Sequence, residues 1–329
     1  MLKTLLFGIG LFLLVTPLKA QRLYFLRGHS IYSSNLEGEQ IRKEFNTRDK
    51  RFGKAAEDYG FRVSPDGKHF AFTKAAEKTR QIGVFTPEDG TVNILEDTSA
   101  ENAYDPVWSP DGSHIAFHCW YGNLDKICGW GVGIVDKSLK GFVNLHPNTG
   151  TSDLYSMYKN YYNTFSWLSD SSSITCWGDS LFRFTSISRL TSTESIPKFG
   201  LDTSKNWLEF SFLPYYFGKD RYLLYGVSTM DEGSSNFQEN FDESDYQVLY
   251  VYDNVMKMNT RITPINVAVG WGGGVPLPDN QRIVFVAVEA KKPLKKNSNP
   301  NPNIYVVNKD GTDLQLLIKN ATSLSVSRE

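Results

Sequence analysis

The chain reads as short apolar or alternating runs, each halted by a cluster of Gly, Pro, Asn, Asp or Ser, with no convincing helical spacing. Leu23-Tyr24-Phe25-Leu26 is the first run with strand character. The pattern repeats. Val63-Ser64-Pro65-Asp66-Gly67-Lys68-His69-Phe70-Ala71-Phe72 matches Trp108-Ser109-Pro110-Asp111-Gly112-Ser113-His114-Ile115-Ala116-Phe117 almost residue for residue. Weaker copies run from Trp167 to Ile174, from Lys219 to Leu224 and from Leu277 to Phe285. Their aspartates are Asp66, Asp111, Asp170, Asp220 and Asp279, in steps of 45, 59, 50 and 59 residues.

Each copy carries the chemistry of a tight hairpin: Pro presets the first corner, Asp bonds its own backbone, and Gly accepts positive φ. A second hairpin follows in several units, at Asn35-Leu36-Glu37-Gly38, Pro87-Glu88-Asp89-Gly90 and Asn308-Lys309-Asp310-Gly311. Each unit is therefore four antiparallel strands, a to d, and units of roughly 50 residues without helices predict the blades of a β-propeller. Five turns give five blades. Leu23–Leu26, Ile31–Ser33 and the segment after Gly38 supply strands b, c and d of a sixth, and residues 321–327 supply its strand a. The expected fold is an all-β six-bladed propeller, closed by the C-terminal strand a joining the N-terminal strands b to d.

Composition agrees with one globular domain over 21–329. Forty per cent hydrophobic residues, 14% aromatics, 26 Gly and 14 Pro argue against disorder, collagen or a coiled coil. Thirty-five Lys and Arg balance 36 Asp and Glu, so no cationic excess recommends nucleic acid as a partner. Met1-Leu2-Lys3, the apolar run from Leu5 to Val15, and an exit after Ala20 read as a signal peptide over 1–20, too short to span a bilayer. The expected product is a monomer, periplasmic or extracellular, with no integral membrane segment after cleavage. Three cysteines do not make a disulfide framework. Cys119 and Cys128 bracket a step that can close a hairpin loop under oxidising conditions, while Cys176 falls where the repeat places Phe117 and is expected in apolar packing.

The run Tyr104-Asp105-Pro106-Val107-Trp108-Ser109-Pro110-Asp111-Gly112 resembles the repeat of the TolB-like six-bladed propellers. The likeness spans nearly the whole chain after the leader and is strongest over 59–95 and 104–145. It implies a periplasmic or secreted platform for protein interaction; related propellers accompany prolyl-peptidase domains or carry polysaccharide lyase sites. The chain departs from TolB itself in leaving no room for the α/β domain that precedes that propeller, so the likeness does not carry a role in the TolB envelope system.

Strand order puts the a–b and c–d turns on one face of the disc, and the b–c and d–a loops on the other. The long segments Cys119–Gly129, Ser228–Tyr246 and Glu289–Asn303 are all read as b–c loops, which makes that face the expected recognition surface. Met230 to Asp245 carries six acids and no base, without EF-hand spacing, and Lys291, Lys292, Lys295 and Lys296 stand on the neighbouring blade. Trp120, Tyr121, Tyr155, Tyr158, Tyr161, Tyr162 and Trp271 are the candidate partner- or ligand-binding residues, since rigid amphipathic rings suit either a peptide or a sugar face. His69 and His114 occupy matching positions beside the short turns, where a surface role is expected rather than metal ligation. No catalytic residue, metal or cofactor is assigned: Gly-x-Ser-x-Gly, phosphate-loop and His-Glu-x-x-His patterns are missing from the sequence. Noncovalent recognition of a protein or glycan is the expected function, with a polysaccharide-active enzyme working at the channel mouth as the alternative.

Overall fold

The computed structural model describes residues 21–52, 54–55, 61–75, 79–96, 102–123, 126–144, 165–171, 173–176, 180–186, 189–195, 215–228, 247–289 and 301–328. The expected signal peptide, the tyrosine-rich d–a segment, the acidic loop and the lysine-rich loop lie outside them.

Strand pairing among these residues follows the repeat. The first blade holds β5 (Phe61–Val63), β6 (Phe70–Ala75), β7 (Arg80–Thr86) and β8 (Thr91–Ile94), with the short β4 (Lys54–Ala55) also on β6. The second holds β9 (Asn102–Trp108), β10 (His114–Asn123), β11 (Lys126–Asp136) and β12 (Val143–Asn144). The third runs through β13 (Phe165–Trp167), β14 (Ser173–Cys176), β15 (Ser180–Ser186) and β16 (Arg189–Ser195). The fourth comprises β17 (Tyr215–Phe217), β18 (Tyr222–Ser228), β19 (Gln247–Asp253) and β20 (Met258–Arg261). The fifth comprises β21 (Val267–Pro276), β22 (Arg282–Glu289), β23 (Asn303–Asn308) and β24 (Gln315–Ile318).

The sixth blade is stitched from both ends. β25 (Thr322–Val326) pairs antiparallel with β1 (Leu23–Arg27), which continues into β2 (Ser30–Ser34) and β3 (Arg42–Asn46). Leu23 lies opposite Val326, and Phe25 opposite Leu324. Among the described residues the strands pair into six antiparallel groups of four, consistent with the turn spacing.

The core consists of apolar layers between successive blades. A strand buried on both faces sends alternate side chains to opposite neighbours, so it needs an unbroken apolar run. On β22, Ile283, Phe285 and Ala287 join the layer against the fourth blade, whereas Val284 and Val286 join the layer against the sixth. On β1, Leu23 and Phe25 face the fifth blade, and Tyr24 and Leu26 face the first. Six of the ten buried residues in that last layer are phenylalanines, Phe45, Phe52, Phe61, Phe70, Phe72 and Phe85, with Phe52 delivered by a 3-10 turn at Lys50–Phe52. Its rings meet mostly edge to face, such as Phe52 and Phe85 at 5.0 Å and 87°, an orientation that aromatic quadrupoles favour.

Two glycines make these layers possible. Gly83 stands opposite Phe72 and Gly133 opposite Phe117, in matching places of the first two blades. A Cβ at either would lie 2.4 or 2.5 Å from the facing ring. The strand-b ring lies over the bare strand-c backbone.

The segment Cys119–Gly129 differs from its expected form as a loop. β10 and β11 continue through it as a paired ribbon, Tyr121 opposite Gly129, with a bulge between Tyr121 and Gly122. Continued pairing satisfies backbone groups that a loop would leave to water, and the alternating aromatic and glycine residues permit it. Cys119 is buried in the layer between the first two blades, opposite Gly131.

Deleting the final nine residues, 321–329, removes β25 and with it buried Ala321, Leu324 and Val326. At about 1.5–3 kcal/mol for each fully buried aliphatic side chain and about 2–4 °C per kcal/mol, a calorimetric scan should show melting lowered by about 10 °C or more. Unchanged melting would refute the closure. Gly133→Ala should cost about 1–3 kcal/mol in urea unfolding through overpacking against Phe117. Gly270→Ala, where an added Cβ meets no atom within 4 Å, should be close to neutral.

Candidate functional site at the axis of the ring

The a–b turns are built as the sequence suggests and then bonded to one another. In the first blade the Ser64 hydroxyl donates to Asp66 at 2.5 Å, Asp66 accepts from the Lys68 N–H at 3.0 Å, and the Ser64 hydroxyl oxygen accepts from the His69 N–H at 3.0 Å. Ser109, Asp111, Ser113 and His114 repeat this arrangement at 2.6, 3.0 and 3.0 Å. Gly67 and Gly112 take φ of 69° and 70°, and Asn280, at φ 56°, fills the same place in the fifth blade. The fourth-blade turn is two residues shorter between its strands, 218–221, with positive φ at both Lys219 and Asp220, the requirement of a type I′ hairpin. Asp220 accepts instead from Ser169 of the third blade, from its N–H at 2.9 Å and its hydroxyl at 2.7 Å.

Similar contacts pass from turn to turn. The Asp111 N–H donates to the Ser171 hydroxyl at 3.0 Å, the Gly218 N–H to Asn280 Oδ1 at 3.1 Å, and the Arg328 N–H to the Pro65 carbonyl at 2.8 Å. Deeper in the ring, Trp108 Nε1 donates to the Arg62 carbonyl at 2.9 Å and Trp167 Nε1 to the Val107 carbonyl at 3.2 Å. The Val63 N–H donates to the Ser325 hydroxyl at 3.0 Å. The two repeat tryptophans thus fasten β9 to β5 and β13 to β9.

Inside this rim lies an axial cavity of about 260 Å3, walled by strands a of all six blades. Arg62, Lys219 and Arg328 bring cations to its lining; Ser166, Ser325, Tyr215 and Asn280 bring neutral polar groups; Trp108, Trp167, Phe165 and Phe217 bring apolar surface. No carboxylate or imidazole lines it among the described residues. One Arg62 guanidinium nitrogen donates to the Leu324 carbonyl of β25 at 3.3 Å. The Arg328 guanidinium has no hydrogen bond or ion pair among the described residues, and its burial lowers its pKa from the ordinary arginine value, opposed by nearby Tyr215. It still carries its charge near neutral pH.

Of the candidate aromatics, Trp120, Tyr121 and Trp271 fall on described strands. Trp120 and Tyr121 lie on β10, opposite Trp130 and Gly129, with Trp120 also opposite Asn102, at the end of the blade away from the a–b turns. Trp271 lies on β21, the channel-side strand of the fifth blade, where pairing jumps from Val269–Ala287 to Gly274–Phe285 and leaves Gly270 to Gly273 as an outsized bulge. Tyr155, Tyr158, Tyr161 and Tyr162 lie outside the described residues. His69 and His114 are half-buried rather than solvated: His69 Nδ1 is 3.0 Å from the Thr86 hydroxyl, His114 Nδ1 is 2.6 Å from the Ser113 hydroxyl, and their rings lie 6.3 and 6.4 Å from Trp108 and Trp167. The cavity cations were missed because they come from distant segments. A signal was present in Phe61-Arg62-Val63, a charged residue inside an apolar strand whose free edge borders the axis.

Among solved structures, TolB from Acinetobacter baumannii superposes with a TM-score of 0.56 at 12% identity, over 94% of this chain and 66% of that one. This chain thus spans just under two thirds of that TolB. Putative TolB from Agrobacterium tumefaciens gives 0.52 at 12% identity, over 91% and 89% of the two chains. A chain of a nidogen/laminin complex gives 0.52 at 7%, over 94% and 98%. The fold is that of a TolB-like β-propeller, as the turn motifs imply. No protein-family model matches the chain, and no curated protein matches it significantly. No helix among the described residues is long and apolar enough to cross a membrane.

The turn aspartates give the rim a defined response to acid. Burial of Asp66 and Asp111 pushes their pKa upward, but hydrogen bonds from Ser64 and the Lys68 N–H, and from Ser109 and Ser113, outweigh it, so both carboxyls are lowered. A carboxyl with a depressed folded-state pKa contributes stability above its unfolded value, about 3.9, and loses it as pH falls through the lower folded value. Asp66→Asn with Asp111→Asn should therefore melt below the parent at neutral pH. The gap should narrow as pH falls below about 4, which parallel thermal melts would register.

Proposed function

We propose that this chain is an exported, monomeric, non-enzymatic recognition protein that binds a protein or glycan partner through its propeller, with the axial channel as the point of engagement. The observation that carries this reading is the cavity itself. Its described lining offers hydrogen-bond donors and apolar walls, but no carboxylate or imidazole to act as general acid or base. Hydrolysis of a glycosidic bond normally requires a carboxylate pair, which this described lining does not offer. The rigid walls suit binding, because a surface held by interlocked turns loses little conformational freedom when a partner docks. Export rests on the reading of residues 1–20 as a leader.

The purified chain without residues 1–20 should bind saturably to some members of a combined array of glycans and short peptides, and should leave the same polysaccharides intact on prolonged incubation, as followed by size-exclusion chromatography. Polysaccharide shortening would overturn the non-enzymatic reading in favour of a channel-mouth enzyme.

A further inference from the structure

We infer that the axial cavity is a carboxylate-binding site for an acidic side chain of a peptide, and that the strand closing the ring completes it, so that occupancy and closure are coupled. This inference rests on the proposed recognition role and specifies its ligand chemistry.

The chemistry of the walls is one-sided. Arg62, Lys219 and Arg328 meet at one cavity with no acid among the described lining residues, although acids and bases are nearly equal in number over the whole chain. The partly buried Arg328 guanidinium meets no carboxylate among the described residues, and an entering carboxylate offers the geometry its planar fork matches. A neutral sugar, by contrast, favours an open aromatic face on which to stack. The cavity's large aromatics do not provide that face: Trp108 and Trp167 are 7% and 6% exposed, with their indole N–H groups bonded to neighbouring inner strands. At about 260 Å3 the space lies below the usual range of small-molecule pockets, about 300–1,000 Å3, and suits one side chain of a longer ligand.

The closing strand contributes more than one part of this site. Ser325, Val326 and Arg328 belong to the C-terminal segment, and Arg62 of β5 is held against that segment by its bond to the Leu324 carbonyl. The Val63 N–H to Ser325 and Arg328 N–H to Pro65 bonds tie the same segment to the first blade. Releasing β25 from β1 would remove Arg328 and unseat Arg62 together. By linkage, a ligand that binds only the closed ring stabilises the closed ring.

The test uses the chain over 21–329 with three probes: N-acetyl-glutamate amide, N-acetyl-glutamine amide and glucuronate. Calorimetric titration should show binding of the glutamate probe at least about tenfold tighter than its glutamine isostere, the discrimination that one charge-assisted contact provides. Arg328→Met and Arg62→Gln should each weaken the glutamate probe by about tenfold or more, while Lys257→Gln, on an exposed turn of the fourth blade, should leave it unchanged. Ligand-free Arg328→Met should melt no lower than the parent. Hydrogen exchange at the β1–β25 amides should slow with the glutamate probe in the parent and not in Arg328→Met. Equal binding of glutamate and glutamine probes would overturn carboxylate recognition. Binding of glucuronate alone would overturn the choice of a peptide. Tight binding without slower exchange at β1–β25 would overturn the coupling. Failure of all three probes, with array binding intact, would reject this site while sparing the recognition role.

Discussion

The antiparallel pairing of β25 with β1 is the contact on which the molecule depends. A ring of blades has two ends, and each presents an unpaired sheet edge and an uncovered apolar face. Pairing Leu23 with Val326 and Phe25 with Leu324 removes both at once, since it completes the sixth blade and the apolar layers on either side of it. The contact spans nearly the whole sequence, so the chain-entropy cost of forming it is close to the maximum for this length. That cost is met by layers formed simultaneously, which explains why the sixth blade packs Phe25, Ile304 and Leu324 on one side and a phenylalanine cluster on the other.

Closure also explains the uneven quality of the repeats. A turn is constrained twice, once by its own hairpin and once by the turn beside it. Where Asp66 and Asp111 satisfy their own backbones, the Ser-Pro-Asp-Gly wording survives intact. In the fourth blade the turn is shorter and its aspartate bonds outward to Ser169, so the wording decays while the contact around the rim is kept. Rim bonds at Asp111 to Ser171, Asp220 to Ser169 and Asn280 to Gly218 use different residues for one mechanical purpose. Outward bonding by the charged rim groups also continues away from the axis: Arg221 pairs with Asp253 at 2.7 Å, and that contact, foremost among its hydrogen bonds, draws the Asp253 carboxyl down to about 2.

The fold was legible because its signals are local. Positive φ at Gly67 and Gly112, Asp-to-backbone bonds, and an apolar strand near each terminus can all be read within a few residues, and counting them closes the ring. Ile82-Gly83-Val84 and Val132-Gly133-Ile134 also repeat, and that match contained the ring-over-glycine packing had strand c been compared as closely as the turns. The paired ribbon at 119–129 was harder to read, because a loop and a strand extension are both rich in glycine and aromatics, and only the partner strand decides between them. The cavity left only one local trace in the sequence, the charge inside Phe61-Arg62-Val63. Its cations, Arg62, Lys219 and Arg328, come from three blades and share no spacing, and only a closed ring brings them to one axis.

The placement of Arg328 separates two views of the closing strand. If β25 served stability alone, the charge after Ser327 would add little, because the partly buried Arg328 guanidinium makes no hydrogen bond or ion pair among the described residues. Packing does not require the charge here: the segment's backbone is already held by the Arg328 N–H to Pro65 bond and by Ser327 to Arg22, neither of which involves the guanidinium. The same asymmetry holds for Arg62, whose neighbours Phe61 and Val63 are buried in the layer against the sixth blade. The inner strand β5 and the segment just past β25 both carry guanidinium groups at the axis, and both belong to the junction where the ring is shut. Cations gathered at this junction with no acid in the described lining are explained more economically by what enters the channel than by what holds the ring together.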